Sequence, residues 1–440
     1  MTDYTFGTLK LPNHFPREVT ALLSALQLQK PDMAPLQALG DHEWRSLLSF
    51  CEISHMTLVM ALLPSEGLPE WVVDRLTRNR ADNALRYERV KTLYREAAEA
   101  LAKAGVEHIV IKGFTQAPEY VAKPDFRRQS DLDLFCPPRD IEAAYAALQA
   151  IGYEPDDKSN ISCADHVPAL VRLGNWQGSS NPFDPEMPYG VELHFCLWND
   201  NVSFIRIPDV HLFWERRTTR QIGDLSFPCL NDVDHLSYLA LHILRNIFLR
   251  DWAIRHVCEL ATFLHSHAND NAFWQSWRDT HSPSMRSLQA IAFYHAHVWF
   301  GCQLHPQVVH SIAGLPPAQL SWLRRFSSSG LEIMFRENKD SLWLQLSFLS
   351  SRAEKWKLVR RVLIPAHVGA VGSPVVRVRN KRLKRLDADH PWRQFVAYLL
   401  SRSVSHVHAN LTALARGLRW YLSRLTSSRS QRNFEMQQLT

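Results

Sequence analysis

The chain has 440 residues, 46 % of them hydrophobic and 21 % charged, which excludes wholesale disorder, a collagen-like chain and a single small core; two or three domains are expected. The net charge of +6 is unevenly spread: from Ser351 onward 18 Lys and Arg face 4 acids, giving +14 and leaving 32 basic against 40 acidic residues, or −8, elsewhere. That asymmetry points the C-terminal region at something anionic, an RNA or a membrane surface, or else marks a solvated helical face. No charge-free apolar run reaches the length of a membrane span, and the N-terminal stretch lacks the pattern of a secretory signal. Seven cysteines without a CxxC pair argue against a disulfide framework or a structural zinc site. A cytoplasmic protein is expected, with peripheral attachment to a membrane left open by the basic C-terminal region.

Residues 1–80 read as a helical region punctuated by Pro31, Pro35, Pro64 and Pro69. Asp82 is placed to cap a helix whose apolar positions Val90, Leu93, Tyr94, Ala97 and Leu101 recur at helical spacing and which ends at Gly105. VEHIVIKG then reads as a buried strand, and SDLDLFC as a second strand stopped by Pro137 and Pro138. Asp140 precedes a helix that closes at Gly152. Residues 154–190 read as mostly loop, with one helix near His166. VELHFCLW is a third strand, and RTTRQIGDLSFPCLN a hairpin turning at Gly223 and Asp224. From Asp232 to about Leu349 the pattern is helical. A basic stretch follows, then an amphipathic helix with Phe395, Val396, Leu399, Val407, Leu411, Leu414, Leu418 and Leu425 near helical spacing. The expected division is 1–80, a helical N-terminal region; 81–230, a catalytic domain; 231–350, a helical domain; and 351–440, a basic helical C-terminal region.

The chemistry concentrates in the strands. Alternation along SDLDLF turns Asp131 and Asp133 to one face and Leu132 and Leu134 to the other. Two carboxylates about 7 Å apart on one face repel unless a cation sits between them, and hard oxygen ligands of this kind suit Mg²⁺. In VELHF the same alternation turns Glu192 and His194 together, opposite Val191, Leu193 and Phe195. If this strand lies beside the first, Glu192 completes a three-carboxylate set able to hold two metals for phosphoryl displacement. Glu192 or Asp133 could also draw the proton from an attacking hydroxyl. Lys112 and Gly113 close the first strand, where glycine permits close backbone approach and lysine supplies charge to a phosphate. Arg127 and Arg128, just before the acidic strand, are further candidates for a triphosphate contact.

In this order of elements, Ile111-Lys112-Gly113, Arg127, Asp131-x-Asp133, Gly152-Tyr153 and Val191-Glu192-x-His194, the chain resembles the DNA polymerase β-like nucleotidyltransferase superfamily, and more closely its uncharacterised bacterial nucleotidyltransferase family. The resemblance covers about Ala84 to His265. It implies an α+β fold, a polymerase-β-like core of a small mixed β-sheet flanked by helices, within a mostly helical chain. It implies Asp131, Asp133 and Glu192 as ligands of two Mg²⁺ ions. The reaction implied is transfer of a nucleoside monophosphate from a nucleoside triphosphate, ATP among them, to an unidentified hydroxyl acceptor. The superfamily's usual Gly-Ser after the first strand is replaced here by Lys112-Gly113-Phe114. The alternative from another class is an inactive scaffold of the same fold that holds an anionic partner through the basic C-terminal region.

Other motifs read as structural. The pairs His265/His267, His295/His297 and His406/His408 have a spacing that splits them between helix faces, which is poor for chelation. Cys136 and Cys196 read as buried thiols. His194 reads as a group that orients Glu192, and His242 as part of the helical interface. The C-terminal leucine stripe reads first as core packing, with an anionic membrane as the second reading and nucleic acid the third.

Overall fold

The computed structural model describes residues 6, 9–13, 15–156, 165–174, 176–179, 181–251, 254–364, 400 and 403–422. A seven-stranded mixed sheet lies among many helices, so the class is α+β. Its strands are β1 (Ile109–Val110), β2 (Asp131–Phe135), β3 (Glu154–Pro155), β4 (Leu170–Val171), β5 (Gly190–His194), β6 (Thr218–Ile222) and β7 (Leu225–Cys229), in the spatial order β3-β4-β5-β2-β1-β7-β6. The hairpin β6–β7 turns at Gly223 and Asp224 as the sequence suggests, with Gly223 at φ +58°. At the centre β2 and β5 run parallel, with Asp133 opposite Glu192 and Phe135 opposite His194. β1 is short, but the Ile111 amide continues its ladder by donating to the Asp133 carbonyl at 3.1 Å. Lys112 is thereby set beside Asp133.

Each face of the sheet meets a different core. Leu132, Leu134, Val191 and Leu193 are buried against Val90, Tyr94, Ala97 and Leu101 of the Glu70–Lys103 helix and Ala144 and Leu148 of the Ile141–Ala150 helix. The other core is larger. It joins Ile109, Ile111 and Phe135 to the helices from Asp232 onward, and it also takes in Val19, Trp44, Leu47 and Leu76 from the N-terminal helices. Residues expected to form a separate N-terminal region thus bury their apolar faces in the same core as the helical domain. Burial of this extent, at about 25 cal/mol per Å² of apolar surface, ties the two regions together.

Two local expectations are corrected. Asp82 caps no helix: one helix runs unbroken from Glu70 to Lys103, entered from Pro69. The polar residues that suggest a boundary serve lateral hydrogen bonds instead. Asp82 accepts from the Asn181 amide at 3.0 Å, and Asn83 donates to the Asp125 carbonyl at 2.7 Å. Nor is there a helix at His166. His166 makes a β-bridge with His194, and β3 and β4 extend the sheet beyond β5. Asp140 does precede the Ile141–Ala150 helix, though its side chain makes no capping hydrogen bond.

The described part of the C-terminal stripe corrects the core-packing expectation. The 403–422 helix docks on the helical domain through Ala409, Ala413 and Trp420, and the Ala413 carbonyl accepts from the Trp343 indole at 3.1 Å. Val407, Leu411, Leu414 and Leu418 lie on its outer side, each more than 40 % exposed. Phe395, Val396, Leu399 and Leu425 lie outside the described residues, as do Arg393, Arg402 and Arg424. Arg416 is paired with Glu332 and Asp340. The spaced histidines are structural where described: His295 bonds the Ile291 carbonyl, His297 the Cys302 carbonyl and His406 the Leu363 carbonyl. Among the described residues no helix is long and apolar enough to cross a membrane.

Candidate active site

Strand alternation and a parallel register build the site. Because Val191 and Leu193 face the core, Glu192 and His194 emerge on the opposite side, beside Asp133 of β2. A carboxylate oxygen of Asp133, one of Glu192 and an imidazole nitrogen of His194 lie within 4.8 Å of one another. His194 Nε2 is 2.9 Å from Asp133 Oδ1 and 3.6 Å from Glu192 Oε2. His166 approaches from the bridge, with Nε2 3.8 Å from Glu192 Oε2. The three-carboxylate set expected from the sequence is therefore rearranged: His194 joins Asp133 and Glu192 in the tight cluster, and Asp131 stands outside it. Asp131 lies opposite Gly190 on the same face as Asp133.

The first strand delivers a cation to this cluster. Lys112 Nζ donates to Asp133 Oδ1 at 2.6 Å, with the lysine side chain 15 % and the aspartate 4 % exposed. Lys112 adopts φ +57°, ψ −154°, a conformation that a residue with a Cβ holds only when its surroundings enforce it, often at a functional site. Gly113 follows at φ +56°. A Cβ there would lie 2.5 Å from the Gln129 side chain, whose amide donates to the Asp131 carbonyl at 2.7 Å. The close approach that requires glycine at 113 is thus to a side chain that holds β2 in place.

Electrostatics separate the two aspartates. Burial pushes Asp131 up, and Asp133 and Glu192 push it further, to about 7, against the pull of Lys112 and Arg255. Asp133 suffers the same burial, but Lys112 and His194 outweigh it and hold its carboxyl well below the usual range. Burial and Lys112 pull His194 down, yet its bonds to Asp133 and Glu192 leave it raised. Lys112 is also buried, and Asp133, Tyr238 and Glu192 keep its ammonium charged.

The arginines divide. Arg127 is turned into the helical layer, where its Nε donates to Glu259 Oε1 at 2.7 Å and both side chains are under 5 % exposed. Burial raises the Glu259 carboxyl, and Arg127 and His256 more than reverse it. Arg128 lies over the Phe183 ring and donates to the Glu52 carbonyl at 3.3 Å, while its Nε is buried without a hydrogen-bond partner. The structure thus brings Lys112, Asp133, Glu192 and His194 together, leaves Asp131 on the same sheet face outside that cluster, turns Arg128 to the Glu52 carbonyl and the Phe183 ring, and pairs Arg127 with Glu259.

A divalent cation fits these residues. Two carboxylates and an imidazole converge, and the lysine ammonium already stands against one of the oxygens as a counter-ion. The mixed nitrogen and oxygen donors admit a divalent ion without fixing which one. The family model for uncharacterised nucleotidyltransferases matches residues 42–301. The chain belongs to this nucleotidyltransferase family. It is an enzyme of that class, with a nucleotide as substrate. The match begins before the stretch on which the resemblance rests and takes in the Asp41–Ser54 helix, whose apolar side packs into the larger core. No curated protein and no solved structure matches the chain.

His194 was open to recognition as a cluster member, since it shares a face with Glu192. Sequence reasoning missed His166 altogether. Its only signal is a lone histidine in an irregular segment, and the bridge that brings it to β5 is set by tertiary folding.

Proposed function

We propose that the chain transfers a nucleoside monophosphate from a nucleoside triphosphate such as ATP to a hydroxyl acceptor, with Mg²⁺ in a two-ion arrangement. The observation that carries this reading is the in-register pairing of Asp133 with Glu192, which gathers Asp133, Glu192 and His194 around one point beside Lys112. Asp131, Asp133 and Glu192 would hold the ions, with His194 completing or orienting the set. Bound there, the cations supply electrostatic stabilisation of the charge that builds on the transferred phosphoryl oxygens.

The chain's own residues supply the rest. Lys112 offers a fixed positive charge to the phosphates, and Arg128 a second. Gly113 seats Gln129 and so fixes the backbone of β2 under the triphosphate. Glu192, half-buried and 3.6 Å from His194 Nε2, is the group placed to accept the acceptor's hydroxyl proton. In this reading residues 81–230 form the catalytic domain, preceded in the chain by a helical N-terminal region, 1–80, and followed by a helical domain, 231–350, and a basic C-terminal region, 351–440. We keep an anionic membrane surface ahead of RNA as the partner of the C-terminal region, in a cytoplasmic protein. The exposed apolar side of the 403–422 helix and the basic surplus of the sequence support that preference. The scaffold alternative gains nothing from the site, where buried carboxylates are held at an electrostatic cost.

Calorimetric titration of each ribonucleoside triphosphate with Mg²⁺ into wild type and Glu192→Gln tests the reading. Saturable binding that requires Mg²⁺ and weakens at least tenfold in the variant supports it. Absence of binding by all four nucleotides overturns it.

A further inference from the structure

A cleft of about 270 Å³ opens between the C-terminal end of the Asp41–Ser54 helix, the Asp232–Leu249 helix and the start of the Ile254–Ser266 helix. Its walls carry His55, His242, Arg245, Arg255 and His256, with Asn246 as a neutral donor and Asp251 as the only acid. The volume is just below the range typical of pockets that enclose whole small molecules, and suits one arm of a substrate. A wall of guanidinium and imidazole with one carboxylate selects an anion.

The cationic character extends behind the wall. Arg255 donates to the Arg128 carbonyl at 2.8 Å and stands 3.7 Å from Glu259, which is already paired with Arg127. Arg245 pairs with Asp165 at 2.9 Å, and His256 Nδ1 lies 3.3 Å from Glu259 Oε2. Two buried carboxylates, Glu259 and Asp165, thus serve three arginines, and Arg128 adds a fourth guanidinium. Burial, then Arg255, Arg128 and Arg127, press the His55 imidazole well below its usual range. Burial and Arg127 likewise lower Arg255 to about 10. Four guanidiniums thus gather around one side of the cleft, with Glu259 and Asp165 set behind its wall and Asp251 in it.

The cleft adjoins the metal-ligating cluster. Asp165, which pairs with Arg245 of the cleft wall at 2.9 Å, has the same Oδ2 3.8 Å from His194 Nδ1 of the cluster. His242 stands edge-to-face on His256, their ring centres 4.7 Å apart. We infer that this cleft is a phosphoryl-binding subsite, which takes either the polyphosphate of the donor or a phosphate carried by the acceptor. The inference rests on the transferase reading for its biological meaning, but not for its test.

The probe is inorganic tripolyphosphate, titrated calorimetrically in the presence of chelator into the full chain and into Arg255→Gln, His242→Gln and His55→Asn. The expected result is saturable binding to wild type, weakened at least tenfold in Arg255→Gln and severalfold in the histidine variants. His55 sits at φ +59° at a helix end, where asparagine is tolerated, so His55→Asn keeps the test decisive if Arg255→Gln does not fold. No binding to wild type, or equal binding to folded variants, overturns the inference. Repeating the titration with saturating nucleotide and Mg²⁺ separates the sources: competition assigns the subsite to the donor's tail, and simultaneous binding assigns it to a phosphorylated acceptor. Glu192→Gln should keep tripolyphosphate binding while losing Mg²⁺-dependent nucleotide binding. Failure of the subsite is thereby distinguished from failure of the transferase reading.

Discussion

Asp131→Asn should make the protein more stable, and the gain should depend on pH. Asp131 is carried from the ordinary carboxylate value of 3.8 to about 7 by burial and by Asp133 and Glu192. The unfolded chain therefore ionises this group first, and stability is lost progressively between about pH 4 and pH 7, then no further. Fully expressed, that difference costs about 4 kcal/mol above pH 7. Asp131 keeps one edge toward water, so about 1–2 kcal/mol is the expected gain on replacing it with a neutral amide at pH 8. The Ser130 hydroxyl, 3.2 Å from Asp131 Oδ2, can donate to the new amide oxygen. Thermal unfolding in chelator should show Asp131→Asn melting roughly 1–2 °C above wild type at pH 8, with the gain shrinking toward nil near pH 4. Added Mg²⁺ should then raise wild type more than the variant, because a cation answers the repulsion that the substitution has already relieved. A gain that does not change with pH, or no gain at pH 8, would refute this account of the site's electrostatics.

Further expectations follow from the same neighbourhood. Asp133→Asn leaves Lys112 charged and buried without its partner, so chemical denaturation should show a loss of about 3–5 kcal/mol; a near-neutral result would mean that Lys112 reaches water by another route. Gly113→Ala forces a Cβ onto Gln129 and into positive φ, and should cost about 1–3 kcal/mol, with Gln129→Ala recovering only the steric part in a double-mutant cycle. Arg127→Gln should lower stability by about 1–3 kcal/mol, because buried Glu259 loses its shortest partner and keeps only Arg255 at 3.7 Å and His256 at 3.3 Å, with little change in nucleotide affinity. The opposite pattern, intact stability with weakened nucleotide binding, would restore the phosphate contact suggested by the sequence. Sedimentation with vesicles should distinguish anionic from neutral lipid, and Leu411→Glu together with Leu418→Glu should abolish any binding to the former.

Period-two alternation made much of this site legible. It separates Leu132 and Leu134 from Asp131 and Asp133, and Val191 and Leu193 from Glu192 and His194, and the structure keeps both separations. The turn at Gly223 and Asp224 was equally readable, because two β-rich runs flank a short glycine-containing loop. Asp82 misled for a physical reason. Asp and Asn favour helix starts because their side chains bond nearby backbone, and here the same capacity is turned sideways to Asn181 and Asp125. Arg127 misled because its partner Glu259 lies far along the chain, in a helix whose packing no local pattern announces. The basic cleft was invisible for that reason too: His55 at a helix end and His242 and Arg255 within helices carry no local signal until tertiary folding brings three segments together.

The parallel ladder between β2 and β5 has a consequence for how this enzyme tolerates change. The spacing of its acidic groups is measured across the sheet by backbone pairing, so the chain between β2 and β5 could lengthen or shorten without altering it. The strands themselves have no such latitude. A single residue inserted or removed at the start of β5 would present valine and leucine to the site and drive glutamate and histidine into the apolar interior. Length variation among relatives should therefore fall between the strands, while frame errors within five residues of chain would silence the enzyme at a stroke.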